Sequence, residues 1–556
     1  MALEEQAELV FLPLGGVGEI GMNFALYGYG PAHAREWIIV DCGVTFPDAS
    51  LPGVDLVMAD TSFIEERRSA LRGIVITHAH EDHYGALIDL WPRLGCPVWM
   101  TPFSAGLLEA KRGSERGAPA IPIQIYKAGD RFQVGPFAIE AVPVAHSIPE
   151  PMALVLSTAS GSVLHTGDWR IDPEPELGPP TDEARLRALG EAGLEAIICD
   201  STNALREGQS PSEQEVGRGL REVIRAAQGR VAVTTFSSNV GRIRSIAEAA
   251  RDCGRQVLLM GRSIKRVVDV ATGLGMMDGL PDFLSEEEYG FIPRQNMVII
   301  CTGSQGEDRA VLAKLARDEL KSVALAAGDA VVFSSRVIPG NEKGILEIKN
   351  RLIDRGVRIV EDGDALVHVS GHPRRGELRR MYEWTRPRVA VPVHGEAAHL
   401  TAHAELARAA GVPEVARVRN GDMLRILPGP AAVIDQVRVG RLLKDGLLLG
   451  DEESTGVAER RRLSFAGHVV LNIVLDDRSE LAGDPDIVLA GVALRTREGE
   501  SMEDILLDEA VGAFESIPKA RRKDLDLVSD AVRRAVRAAA ANVWGKKPVI
   551  TVFVTR

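Results

Sequence analysis

An α/β protein built from several domains is what this sequence predicts, and three observations carry that expectation. Its 556 residues exceed what one hydrophobic core holds together. Short apolar runs ending in Gly, Pro or Asp recur between residues 8 and 170 and read as strands. From about 206 to 369, amphipathic helical stretches alternate with buried-type strands, the pattern of a parallel sheet covered by helices.

In the first region the strand-like runs are ELVFLPLGG, WIIVDCG, GIVITHAH, PVWMTP, FAIEAVPVAH and MALVLSTASGSVLHTGD, with helical YGALIDLWPRLG among them. In the second, helix SEQEVGRGLREVIRAAQG leads to strand RVAVTTF, and helix NVGRIRSIAEAARDCG to strand QVLLMG; NMVIICTGS, DAVVFSS and VRIVEDGD follow. RPRVAVPVHGE and AHLTAHAELARAAG occupy 386–411. The charged segment 451–462 reads as an exposed connector or a surface helix. After it, two strands, helices at 502–516 and 524–543 and a last strand PVITVFVT make a small α/β module. The expected bounds are 1–205, 206–369, 370–450, a linker at 451–463 and a C-terminal domain at 464–556.

Composition narrows the class. Hydrophobic content of 45% and charged content of 26% are ordinary for a globular chain. The N-terminus has no basic stretch followed by an apolar one, and no run approaches 18 apolar residues, so a cytoplasmic protein without a membrane span is expected. Five cysteines without a C-x-x-C exclude a disulfide framework and a thiolate zinc site. The net charge of −13 counts only weakly against a nucleic-acid partner. Phosphate recognition needs a local basic surface, and bound cations add positive charge that a sequence count omits.

Gly16-Val17-Gly18-Glu19-Ile20-Gly21 follows a strand and precedes Asp41 by twenty residues, the outline of a dinucleotide fingerprint. That fingerprint requires a helix opening at its last glycines. Here Met22–Tyr27 continues as a strand-like run, so the glycines are expected to turn the backbone tightly beside a site, with no nucleotide cofactor.

Thr77-His78-Ala79-His80-Glu81-Asp82-His83 places four imidazole or carboxylate donors within six residues, directly after an apolar strand. Such donors suit divalent zinc or manganese. In an extended segment His78 and His80 point to one side. Asp82 and His83 follow where a turn into a helix can aim them at a second ion. One histidine on a strand is usually a packing residue; four donors in six positions are not. His146, Asp168, His394 and Asp41 share the same context, a strand end after an apolar run. His165 lies inside its strand and reads as structural; His33, His399, His403 and His468 lack the context and read as surface or packing residues.

H-x-H-x-D-H with a later His, a later Asp and an early strand-end Asp resembles the metallo-β-lactamase superfamily. Ile198-Cys199-Asp200-Ser201-Thr202-Asn203, Ser370-Gly371-His372-Pro373 and Pro392-Val393-His394-Gly395-Glu396 resemble the further motifs of its β-CASP nucleases. Their spacing and the run GGVGEIGMN are most similar to the bacterial ribonuclease J family, over the whole chain. The fold implied is an αββα metallo-β-lactamase sandwich, with an inserted parallel-sheet β-CASP domain and a small α/β C-terminal domain.

The resemblance implies a ligand set: His78, His80, His146 and Asp168 for one metal, and Asp82, His83, Asp168 and His394 for the second, with Asp168 shared. Asp41 would orient ligand imidazoles. The ions implied are zinc, with manganese the other choice, and a third, structural ion (calcium) would draw on Asp55 and Asp445. Two ions about 3.5–4 Å apart activate water near neutral pH and grip the scissile phosphate. Asp82 would orient that water or take its proton, and His372, charged through Asp200, would protonate the leaving 3′-oxygen. Ser237, Ser238 and Asn239 at a helix N-terminus, with His368, Val369, Ser370, Gly371 and His372, would seat a 5′-monophosphate and the first nucleotides. Arg374, Arg375, Arg379 and Arg380 are candidates to line an RNA channel, with Arg242, Arg244, Arg262, Lys265 and Arg336 weaker ones. The activity implied is 5′→3′ exonuclease and endonuclease cleavage of single-stranded RNA, in rRNA processing and mRNA decay. The implied partners are a second or further copies of the chain, in a dimer or tetramer through the C-terminal domain, and components of an RNA-degradation complex. Two other hydrolase readings remain: a β-CASP nuclease acting on DNA ends, which the same metal ligands would serve, and a thioesterase- or lactamase-type hydrolase, which would not need the insert. The complete ligand set argues against a non-catalytic subunit.

Overall fold

A computed structural model describes residues 6–338 and 340–556. The chain divides into two compact units, one of residues 1–45 and 58–440 and the other of 46–57 and 441–556.

In the first unit two sheets face each other. One orders the strands Ala432–Gln436, Asp422–Leu427, Glu8–Gly15, Phe24–Gly30, Glu36–Val40, Leu71–Val75, Val98–Met100 and Ile123–Ile125. The other orders Glu414–Val415, Val389–Val393, Ala196–Asp200, Gly161–His165, Met152–Thr158, Phe137–Pro143 and Arg131–Val134. Alternation along each strand sends one set of side chains inward. Phe11, Tyr27, Ile38 and Val75 from the first sheet meet Ile139, Leu154, Val163, Ile198 and Val391 from the second in one core. The opposite set on the second sheet, including Val142, Val155, Leu164 and Ile197, packs under Leu186, Leu189, Leu378, Met381 and Leu406 of helices Glu183–Ala192, Arg375–Thr385 and Ala397–Ala409. On the first sheet, parallel neighbours Leu71–Val75 and Val98–Met100 are joined across helix Leu87–Leu94, as a parallel connection requires. This is the αββα sandwich that the family resemblance implies.

Strands Ala196–Asp200 and Val389–Val393 are parallel neighbours, yet a whole third sheet lies between them in sequence. Its strands run Gln256–Met260, Met297–Cys301, Val231–Thr234, Ala330–Phe333 and Arg358–Val360, all parallel. Every residue of Val231–Thr234 and Met297–Cys301 is buried, because helices cover both faces of a parallel sheet.

In the second unit three strands, Asp486–Ala490, His468–Val474 and Val549–Thr555, form a sheet with His468–Val474 in the middle. Helices Met502–Glu515 and Leu525–Trp544, capped by Ser501 and Asp524, supply Leu506, Phe514, Val528, Val532 and Val536 to its core. The charged segment after residue 451 carries helix Val457–Ala466. Among the described residues, no helix is long and apolar enough to cross a membrane.

His403, expected as a surface or packing residue, is a fully buried packing one. Its Nδ1 meets Ser201 Oγ at 2.8 Å and its Nε2 meets Tyr382 OH at 2.7 Å, which ties helix Ala397–Ala409 to the segment after Asp200. Burial pushes this imidazole down to about 4. The unfolded chain therefore takes up a proton below pH about 6.5 that the native chain refuses until about 4, so native stability is lost as pH falls through that window, by at most on the order of 3 kcal/mol. Urea midpoints measured from pH 7 to 4 should fall less steeply for His403→Gln than for the parent chain.

Candidate metal centre

The strands that carry the predicted ligands end on one edge. Phe137–Pro143, Gly161–His165, Ala196–Asp200 and Val389–Val393 run in the same direction, because each antiparallel step in their sheet is undone by the next. His146, Asp168, Asp200 and His394 therefore emerge side by side, on or just beyond their strands. From the facing sheet, Leu71–Val75 leads into extended His78–His80, and the one-turn helix Glu81–Tyr84 aims Asp82 and His83 back at them. Asp41 follows Glu36–Val40, the parallel neighbour of Leu71–Val75.

Three clusters result, each with its donor atoms within 4.8 Å of one another: His78, His80, His146 and Asp168; Asp82, His83, Asp168 and His394; and Asp168, Asp200, His372 and His394. The Asp168 carboxylate is common to all. Its Oδ2 lies 3.7 Å from His78 Nε2, 3.3 Å from His83 Nε2, 3.6 Å from His146 Nε2 and 3.8 Å from His372 Nδ1. Its Oδ1 lies 2.9 Å from His394 Nδ1, yet that buried oxygen, like His394 Nε2, makes no well-directed hydrogen bond. His80 Nδ1 sits 3.2 Å from His78 Nε2 and 3.0 Å from His146 Nε2. Nitrogens about 2.0–2.1 Å from one tetrahedral ion would stand about 3.3 Å apart, so this trio fits a divalent metal.

Electrostatics agree with that fit. Burial pushes His80 down to about 4 and holds His78 and His146 below the usual imidazole range, which keeps these rings neutral, as ligation requires. Around the second cluster burial is outweighed: Asp168, with Asp82, raises His83, and with Asp82 and Asp200 raises His394 to about 10. The same pairings hold Asp82 and Asp168 below the usual carboxylate range despite their burial. Anionic groups concentrated in so little space need cations.

Around the donors lies an orienting layer. Asp41 Oδ2 meets His83 Nδ1 at 2.7 Å, and its Oδ1 accepts from Thr77 N at 2.8 Å. Asp41 and His394 both sit at positive φ, 64° and 52°, a strained conformation held by the surrounding contacts. The Gly16–Gly21 run continues into strand Phe24–Gly30, so no helix opens there. Instead, Gly16 O accepts from His394 N at 2.7 Å and Gly18 N donates to Gly395 O at 3.0 Å. At Gly16 a Cβ would meet Asn23 Oδ1 at 2.4 Å. Gly371 O meets His146 Nδ1 at 2.7 Å, and a Cβ there would press on the same ring at 2.5 Å. His372 Nδ1 lies 2.8 Å from Asp200 Oδ2.

The helix Val240–Asp252 opens with Asn239, whose Oδ1 caps it, and Ser238 Oγ lies 3.1 Å from His80 Nε2. Ser237 and Ser238 remain partly exposed. Ser370 Oγ accepts from Asn203 Nδ2 at 2.9 Å, and His368 and Val369 are buried behind it. Asp55 and Asp445 lie in the other unit and are engaged: Asp55 accepts from Gly446 N, and Asp445 pairs with Arg460. Of the arginines proposed for a channel, Arg242 is wholly buried, and Arg375 pairs with Glu207 at 2.6 Å. His165 is buried on Tyr27 OH at 2.9 Å, a structural residue as expected. Sequence reasoning missed Asn23, whose Nδ2 donates to Asp82 O at 3.1 Å and meets His83 Nε2 at 3.0 Å, Thr202, on His394 O at 3.1 Å, and Asn203, which also donates to His372 O at 3.0 Å. Each lies inside a run already noted for other residues, which was the available signal.

Four family models match the chain: the β-lactamase superfamily domain over residues 36–197, the ribonuclease J β-CASP domain over 228–352, the Zn-dependent metallo-hydrolase RNA specificity domain over 357–417, and the ribonuclease J C-terminal domain over 455–556. The chain is 62% identical to a ribonuclease J of Sinorhizobium meliloti, over 100% of this chain and 98% of that protein. It is 37% identical to one of Mycolicibacterium smegmatis, over 97% and 95%, and 31% identical to one of Helicobacter pylori, over 99% and 80%. A crystal structure of a protein of unknown function from Enterococcus faecalis shares the fold, with a TM-score of 0.51 and 15% identity, over 75% of this chain and 100% of that one. Matched part by part along its length and carrying an intact His/Asp metal cluster, this chain belongs to the ribonuclease J family, metal-dependent RNA-specific nucleases of the metallo-β-lactamase/β-CASP fold.

Proposed function

We propose that the chain degrades and matures RNA in the cytoplasm as a 5′→3′ exonuclease on 5′-monophosphate ends, with endonuclease activity as well. The contact between His80 and Ser238 carries this reading, because it sets a helix N-terminus beside the metal ligands. The dipole at a helix N-terminus favours negative charge, and the partly exposed Ser237 and Ser238 hydroxyls beside it can donate to an anion. An RNA end held there by Ser237, Ser238 and Asn239, and flanked by His368–Gly371, places its first bonds next to the clusters around Asp168.

In this reading His78, His80, His146 and Asp168 hold one divalent ion, and Asp82, His83, Asp168 and His394 the other, zinc in the first instance or manganese. Such ions supply Lewis-acid activation of phosphate and water when bound. Asp82 orients the attacking water or takes up its proton. Burial opposes charge on His372, but Asp200 and Asp168 outweigh it and raise the ring above the usual imidazole range, so it carries a proton to give the leaving 3′-oxygen. Asp41 fixes the His83 ring, and Gly371 fixes that of His146. Residues 1–205 with 370–450 form the metallo-β-lactamase domain, 206–369 the β-CASP insert and 464–556 the C-terminal domain. Self-association through that last domain, as a dimer or tetramer, is supported by exposed Val474, Val488 and Phe553 on its sheet. Partners in an RNA-degradation complex belong to the same reading. A calcium ion at Asp55 and Asp445 would have to compete with Gly446 N and Arg460 for those carboxylates.

Asp168→Ala should lower bound metal and abolish RNA cleavage together, checked by elemental analysis beside a cleavage assay. Chelation should silence the parent chain, and return of zinc or manganese should restore it. His372→Ala and Asp200→Asn should each lower kcat by about 10²–10⁴-fold with metal content unchanged; an unchanged kcat would remove both from the reaction. Run in parallel on 5′-monophosphate, 5′-triphosphate and 5′-hydroxyl RNA and on single-stranded DNA, the parent chain should turn over the first fastest, and Ser238→Ala should narrow that lead.

A further inference from the structure

A buried charge network lies behind the site, almost wholly shielded from solvent. Glu213, near the start of helix Glu213–Ala226, takes a two-pronged ion pair from Arg242, with Nε at 2.6 Å and Nη2 at 3.0 Å. Arg170 reaches the same carboxylate at 3.4 Å and pairs with Asp172, whose Oδ2 accepts from Glu213 N at 3.0 Å. Arg242 is 0% exposed, Asp172 1%, Arg170 2% and Glu213 6%, so none of them can touch an RNA strand.

What the network connects sets it apart from ordinary packing. On one side stands the metal centre. Arg170 follows Asp168 by two residues, and its backbone N donates at 2.7 Å to the carbonyl of Ala145, the residue before His146. On the other side stand the two loops that would seat the RNA end. Arg242 N donates to Asn239 Oδ1 at 2.9 Å, holding the turn that presents Ser237 and Ser238. Its Nη1 donates to Ser334 Oγ at 2.6 Å and Val367 O at 3.3 Å, and reaches His368 Nδ1 at 3.4 Å. Burial and Arg242 push His368 down to about 3, so its ring stays neutral and can accept.

We propose that the Glu213–Arg242 pair, braced by Arg170 and Asp172, is the positioning element that fixes both 5′-end loops at one distance from the ligand-bearing strand ends, and so sets which bond from the RNA end is cut. A guanidinium fork on a carboxylate is rigid in both distance and angle. A buried pair of this kind adds little stability over apolar packing, whereas it does hold one geometry. A reacting bond displaced by about 1 Å loses roughly 10²-fold in rate.

The inference rests on the exonuclease reading above, and its test separates the two. Glu213→Gln breaks the fork but leaves Arg170 and Arg242 underpaired. A second variant, Glu213→Leu with Arg242→Leu, removes both charges and keeps the Arg170–Asp172 pair. Each is compared with the parent chain on RNA with a 5′-monophosphate and on RNA with a 5′-hydroxyl, with metal content, kcat, KM and the length of the first 5′ product recorded. The expected result is about a 10²-fold fall in kcat on the monophosphate end. Cleavage at internal bonds of the hydroxyl RNA should stay within about threefold, metal content should not change, and the first product should spread over several lengths. Equal loss on both RNAs, an unchanged product length, or failure of both variants to fold would overturn the proposal. A parent chain that shows no preference for the monophosphate end would instead refute the exonuclease reading on which it stands.

Discussion

Four buried or half-buried carboxylates, Asp41, Asp82, Asp168 and Asp200, converge on six imidazoles at the edge of one sandwich, and the Asp168 group lies at the centre. Withdrawing such charges from water is costly, and only opposite charge returns the loss. The surrounding architecture answers that demand. Strand direction brings the donors to one edge, rigid partners fix each ring, and positive-φ backbone at Asp41 and His394 is tolerated because neighbours on both sides hold it.

The ring partners come mainly from main-chain carbonyls, short hydroxyls and carboxylates. Thr77 Oγ1 meets His78 Nδ1 at 2.9 Å, Gly371 O meets His146, and Asp41 meets His83. Such partners are short and have few rotamers, so little freedom is lost in setting a ligand ring. Glycine is essential where the approach is closest: at Gly43 a Cβ would fall 1.7 Å from Asp82 O.

The donors could be read from the sequence because they obey a local rule. His78, His80, Asp82 and His83 are contiguous, and His146, Asp168 and His394 each follow an apolar run that can only be a strand. The strands, the helices and the parallel sheet of 206–369 are legible for the same reason, since periodicity over a few residues decides helix or strand, whereas the sandwich and the insertion follow from the family resemblance. What escaped was whatever depends on register between distant segments. Nothing near Gly371 announces that its carbonyl serves His146, 225 residues away. Arg242 reads as a weaker candidate for an RNA channel; its burial goes with its pairing to Glu213, which appears only once two helices are packed. His403 is expected as a surface or packing residue and is a buried packing one, but its Ser201 and Tyr382 partners lie on other elements and cannot be read from its own helix.

The insertion of a complete parallel sheet between Ala196–Asp200 and Val389–Val393 also dictates an order of assembly. During synthesis the strand that ends at Asp200 leaves the ribosome long before its neighbour exists. That neighbour carries His394, the last donor. Closing so long a loop is entropically slow unless the intervening chain has already collapsed on itself. The inserted sheet, whose strands pair only with one another, can fold first and bring its two ends together. The cluster of Asp82, His83, Asp168 and His394 is thus completed only after the insert has formed, so a nascent chain stalled before residue 394 lacks a complete His/Asp centre.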